Sequence, residues 1–211
     1  LAEMKVVQSA CTLAVFKNVS LLDGDNPLLQ ILNPLMKYIA STQATWMTKQ
    51  AIILHGGNGI LGDFSCLPRL YNDAIINETW EGTHQVISEH VLKAIFRPKA
   101  RNAFFEEIEQ NVKGVEKYSF LIYANESFKI LKAKLQSLLD SKDELFLEVN
   151  RLPICDSIYH VFALSELIAE AISFHKETAI SNMANGFGEI AMRGKEGISD
   201  LHGIFHNSKI M

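Results

Sequence analysis

The sequence has only three cysteines, Cys11, Cys66 and Cys155, odd in number, far apart and without a CxxC pair. That excludes a disulfide framework and the usual zinc-ribbon and redox motifs, and leaves three free thiols suited to a reducing compartment. An excess of one charge is lacking as well: 20 Lys and Arg face 24 Asp and Glu, for a net charge of -4. No overall field therefore draws the chain to nucleic acid. No apolar run approaches the roughly 18 to 20 residues that span a bilayer, and no basic-then-apolar leader opens the chain. The expectation is a soluble, cytoplasmic protein with no membrane partner. What is present is a hydrophobic fraction of 48% over 211 residues, enough to build a sizeable core. The chain opens at Leu1, already in a helical pattern, as a piece of a longer protein would.

Apolar residues recur at helical steps throughout. Met4, Val7, Cys11 and Ala14 mark a helix over about 1–22, which Gly24 and Pro27 break. Asn33 before Pro34 reads as the next helix start, since asparagine caps free amides and proline suits the first helical position. From there Met36, Ile39, Trp46 and Met47 share one side of a helix running to about Leu54. Residues 55–62 read as a loop, Pro68 opens a short helix, and a polar turn spans Asn77 to Gly82. Thr83 caps a further helix with Val86, Ile87, Val91, Leu92, Ile95 and Phe96 on its buried stripe.

Arg97-Pro98-Lys99 interrupts the pattern, giving two domains, 1–97 and 98–211. Beyond it, helices are expected near 100–112, 115–140, 142–173 and 175–193, the last ending at Gly194, with a short stretch from Ile198 to Phe205. Phe104, Phe105, Ile108 and Val112 form one core stripe, and Leu121, Phe128, Leu131 and Leu135 another. No period-two strand run stands out, so the fold class is all-α, a helical bundle followed by a second helical domain.

Two segments stand apart. Gly57-Asn-Gly-Ile-Leu-Gly62 matches GxGxxG, but a helix rather than a strand leads into it, so it is not a dinucleotide fingerprint. Some twenty residues on, Trp80-Glu-Gly-Thr-His-Gln85 makes a second glycine turn at a helix start, where free amides favour an anionic group. A carboxylate there beside Trp80 could be desolvated, which raises a carboxyl pKa and improves it as a proton acceptor, or could be an ordinary surface Glu at a helix N-terminus. His202 and His206 lie four apart without a third ligand at a helical step, and read as a solvated pair rather than a metal site.

The succession Gly56-Gly-Asn-Gly59, Leu67-Pro-Arg-Leu-Tyr-Asn-Asp-Ala74 and Trp80-Glu-Gly-Thr-His-Gln85 resembles the C-terminal helical domain of the acyl-CoA dehydrogenase family. Leu1-Ala-Glu-Met4 and Met36-Lys-Tyr-Ile-Ala-Ser41 resemble the helices that precede the glycine loop there, so the resemblance covers about 1–97. It implies a flavin-dependent oxidation of acyl-CoA thioesters, with Glu81 as catalytic base and Gly82 against the thioester. Thr83 and Gln85 would reach FAD, and Leu54, His55, Gly56 and Gly57 would approach the FAD of a neighbouring subunit in a homo-oligomer, a dimer or tetramer. Ile53 stands where glutamine is usual and Asn72 where arginine is usual. No part of the chain resembles the family's N-terminal helical or β-domain, so the resemblance implies that the chain alone lacks most flavin contacts and is inactive.

Trp80, the Leu67–Tyr71 lead-in and the helices after Arg97 are similar to the alkylation-response branch, in which that added region is associated with DNA. Residues 99–211 hold 13 Lys and Arg against 16 Asp and Glu, so DNA binding here would need a local patch. The alternative to a dehydrogenase fragment is a non-catalytic helical module for oligomerisation or interaction.

Overall fold

A computed structural model of the chain describes residues 1–193. The expected end at Gly194, the Ile198–Phe205 stretch and the His202 and His206 pair lie outside the described residues. The described chain is all α-helical and contains no strand. In order the helices are α1 (Ala2–Ser20), α2 (Leu29–Leu54), α3 (Leu67–Thr79), α4 (His84–Ile95), α5 (Pro98–Asn111), α6 (Ile122–Leu139), α7 (Glu144–Val149), α8 (Arg151–Ser173) and α9 (Ala179–Arg193). Short 3₁₀ turns occupy Gly56–Ile60, Val115–Lys117 and Ser119–Leu121.

Helix α8 is the centre of the bundle, packed against α1, α4, α5, α6 and α9. By length and composition it could cross a bilayer, but 67% of its apolar window is buried among the other helices. Phe104 of α5, Phe162 and Tyr159 of α8 and Phe187 of α9 are sealed from solvent. They belong to one hydrophobic cluster running from Ala10 to Ala191. Packing is thus continuous across Arg97, where the sequence pattern breaks.

Several expected boundaries move. Helix α2 begins at Leu29, not at Asn33–Pro34, because an equivalent signal stands earlier: Asn26 Oδ1 accepts a hydrogen bond of 2.9 Å from the Leu28 amide. Pro34 falls inside the helix near its start, where the missing N–H frees only the Gln30 carbonyl. The span 142–173 is two helices: Asp143 Oδ1 caps α7 by accepting from the Phe146 amide at 3.0 Å, and the chain restarts at Arg151. Pro153, the third residue of α8, suits a helix start and disfavours continuation from α7 by removing a donor. In place of a helix from 115, Gly114 at φ +82 leads into two 3₁₀ turns before α6.

The first half of α2 lies in the core through Ile31, Leu32, Leu35, Met36, Tyr38 and Ile39, but no α2 residue beyond Ser41 is buried. That second half, the 3₁₀ turn and α3 pack on one another as a projecting hairpin. Ala74 is the single buried residue of α3, whereas Leu70, Ile75 and Ile76 are exposed.

Candidate functional site

Residues 55–62, read as a loop, form a tight 3₁₀ turn over Gly56–Ile60. Its glycines do different work. Gly56 adopts φ +58, and a Cβ on Gly59 would sit 2.2 Å from the Ile52 carbonyl oxygen, so both are required by the chain itself. A Cβ on Gly57 would meet nothing within 4 Å. The backbone at Gly57 is therefore open to something outside the described chain. Leu54 and His55 are exposed beside it; the His55 ring lies 2.8 Å from the Ala51 carbonyl oxygen through Nδ1 and edge-on to Phe64.

At the other end of α3 the turn is shorter than expected, because α3 continues to Thr79. Glu81 takes φ +57 and Gly82 φ +117. A left-handed conformation costs a residue with a Cβ on the order of 1 kcal/mol, and such outliers persist where the surroundings impose them. Thr83 is the N-cap of α4, as its position predicts, but its side chain makes no capping bond and stays available. Its carbonyl accepts from the Ile87 amide at 3.0 Å, which leaves the amides of His84, Gln85 and Val86 in the first turn of α4 without an intrahelical acceptor. Gln85 is exposed.

The expected desolvation of Glu81 does not occur within this chain. Glu81 is exposed, and Trp80 is 57% exposed, since the left-handed turn swings both away from the bundle. Nor does α4 bury the whole predicted stripe: Val86 and Phe96 are exposed, and Ile87, Ser88, Val91, Ala94 and Ile95 face the core.

The two motifs stand at opposite ends of the 13-residue α3. At 1.5 Å per residue they are roughly 20 Å apart, too far to line one small pocket. Glu81, Gly82, Thr83 and Gln85 form one group, and Leu54, His55, Gly56 and Gly57 a second.

Under the Glu81 turn two motif residues, His84 and Tyr38, join Asp156, which no motif signalled. His84 is half-buried, with its ring edge-on to Tyr38 at 5.0 Å between centroids and its Nε2 3.3 Å from Glu78 Oε2. The Tyr38 hydroxyl donates to Asp156 Oδ1 of α8 at 2.9 Å. Burial pushes the Asp156 carboxyl up to about 6, against the Tyr38 hydrogen bond that favours its ionised form. Burial and the neighbouring Asp156 charge push the Tyr38 phenol upward, so it remains a donor. Cys155 is buried, and burial pushes its thiol up to about 12, which makes it inert.

The spare Thr83 hydroxyl and the free amides after it could take a polar group at one end of α3, and the open backbone at Gly57 a separate contact at the other. The exposed Trp80, Ile76, Ile60 and Phe64 supply apolar surface at both groups.

Comparisons with known proteins bear on this segment. Residues 1–96 match the family model of the acyl-CoA dehydrogenase C-terminal domain. Both motif groups fall inside that matched segment, which is somewhat less than half of the chain. Over 121 residues the chain is 33% identical to acyl-CoA dehydrogenase family member 11 of Caenorhabditis elegans, a match covering 52% of this chain and 19% of that protein. The crystal structure of Caenorhabditis elegans ACDH-11 in complex with C11-CoA superposes at a TM-score of 0.76 with 24% identity, covering 94% of this chain and 39% of that one. The apo-form of Bd2924 superposes at 0.66 with 21% identity over 80% of this chain and 32% of that one. The two superpositions establish a shared fold, and the ACDH-11 match runs past residue 96 into the added helices. The chain spans less than two fifths of either solved structure.

Proposed function

We propose that the chain is the C-terminal portion of a flavin-dependent acyl-CoA dehydrogenase, in which Glu81 removes the α-proton of an acyl-CoA thioester. The reading is carried by the strained turn inside the family-matched segment: an exposed carboxylate at φ +57, a glycine after it, and free amides opening α4. A carboxylate is a competent base for an acidified α-proton, and it improves once neighbouring protein excludes water from it. Gly82 would let the thioester approach the backbone, and Thr83 and Gln85 would hold the polar edge of the flavin. FAD, when bound, supplies the acceptor for the β-hydrogen as hydride. Leu54, His55, Gly56 and Gly57 would meet the FAD of a second copy in a dimer or tetramer, which agrees with the separation of the two groups along α3.

The acyl-CoA bound by ACDH-11 supports this substrate class. Trp80 and the helices after Arg97 support placement near the alkylation-response branch, with residues 98–211 as an added helical domain. The exposure of Glu81 favours one second reading, a non-catalytic module that uses the hairpin as an oligomerisation surface. One experiment separates them. Anaerobic acyl-CoA should bleach the visible absorbance of the flavin-loaded protein, whereas flavin that stays oxidised with short, medium and long acyl chains overturns the dehydrogenase reading. The 211-residue chain by itself should be colourless, and stoichiometric flavin on it would contradict the need for further domains.

A further inference from the structure

The Glu81 turn has no buried residue of its own to hold it, since residues 80–83 are exposed or half-exposed. The first side chain after it that turns inward is His84, which closes on the Tyr38 ring. Tyr38 is fixed in turn at its hydroxyl by Asp156, 118 positions away on the central helix. We infer that Asp156 is a positioning residue that acts through Tyr38 and His84 to set the Glu81–Thr83 turn, so that a helix beyond the family-matched segment controls the geometry of the proposed base. The inference rests on the reading of Glu81 as the working residue of that turn.

The parts suit the role. Tyr38 comes from the buried half of α2 and Asp156 from the most deeply packed helix, so both ends of the support are rigid. The aromatic contact transmits position because edge-to-face rings prefer a defined distance and tilt, here 5.0 Å and 75°. Other elements do not offer Asp156 a competing partner. Arg151 pairs with Glu89 at 3.7 Å and Glu148 at 4.0 Å, Lys37 donates to the Asn77 carbonyl, Glu78 faces His84, and the Cys155 thiol lies toward the Ser88 carbonyl. Asp156 is thus committed to Tyr38. Core packing alone does not need this hydroxyl–carboxylate bond, because the Tyr38 ring fills its place without it.

Amide hydrogen exchange in the 211-residue chain tests the inference without flavin or acyl-CoA, so its failure is separate from a failure of the dehydrogenase reading. The reporter is the Ile87 amide, whose bond to the Thr83 carbonyl closes the first turn of α4. The Leu131 and Leu135 amides in the core of α6 are the internal control. Tyr38→Phe, which keeps the ring, and Asp156→Ala should each speed exchange at Ile87 roughly five- to tenfold, the effect of one lost hydrogen bond, relative to the α6 amides, which carry any change in global stability. Asp156→Asn keeps an acceptor for the Tyr38 hydroxyl and should restore protection. Unchanged exchange at Ile87 in folded Tyr38→Phe overturns the inference, as does equal loss in Asp156→Asn and Asp156→Ala. Should Asp156→Ala fail to fold, the Tyr38→Phe and Asp156→Asn pair still decides.

Discussion

Thirteen of the 23 residues of α8 are buried, against Ala74 alone in α3, although both helices are rich in large apolar side chains. In α8 those side chains fill a core that the described chain completes for itself. In α3 they point away from it, with Ile76 62% exposed and Trp80 beside it. An apolar pattern on a helix states only that something covers that face. In the bundle the cover is the chain's own, whereas on the motif-bearing hairpin the described residues leave the apolar face uncovered.

Four predictions would break or sharpen that contrast. Phe104→Ala, in the sealed core, should cost about 3–5 kcal/mol in urea unfolding, whereas Ile76→Ser in the hairpin should cost less than about 0.5 kcal/mol in the same chain. A comparable loss at Ile76 would mean that the hairpin is part of the core after all.

Asp156 gives the next largest effect. Its carboxyl is raised to about 6 in the folded chain, so folding favours the protonated form. Its contribution to stability is fully present below the ordinary Asp range near pH 4 and is lost as pH rises through about 6, a swing of roughly 3 kcal/mol. Asp156→Asn should therefore be the more stable protein at pH 7.5, with the gap closing toward pH 4. A stability gap that does not change with pH would contradict the burial of this carboxylate.

The hairpin's own glycines separate local packing from outside contact. Gly59→Ala forces a methyl against the Ile52 backbone and should destabilise the chain by about 1–3 kcal/mol. Gly57→Ala should leave its unfolding midpoint within experimental error and weaken flavin retention only in the complete protein. Smallest is Glu81→Gly, which relieves a left-handed residue and should raise stability by up to about 1 kcal/mol by chemical denaturation while removing the carboxylate. A loss of stability on that change would show that the turn is not strained.

Much of the fold was legible because the helical period is local information. Phe104, Ile108, Leu121, Phe128, Leu131 and Leu135 are buried as their spacing indicated. The errors lie where two local signals compete. Asn26-Pro27 and Asn33-Pro34 offer equivalent starts, and the turn that Asn26 closes onto the Leu28 amide leads into α2 at the earlier one. Of the site, the Glu81 turn and the glycine turn could be read because each is a contiguous motif with fixed spacing. Their separation along α3 followed only from the helix length, and the exposure of Val86 and Phe96 only from the way α4 packs on α2 and α8. The pairing of Tyr38 with Asp156 left no trace in the sequence, since nothing in a tyrosine or an aspartate announces a partner 118 residues away.

The central claim is that Glu81 is the base. The direct measurement is anaerobic rapid mixing of acyl-CoA with the flavin-loaded protein carrying Glu81→Gln, which keeps size and turn but removes the proton acceptor. The account predicts that flavin binding is retained and that flavin reduction slows by about 10³-fold or more, the scale of losing a positioned base. Reduction at the rate of the unmodified protein would contradict it.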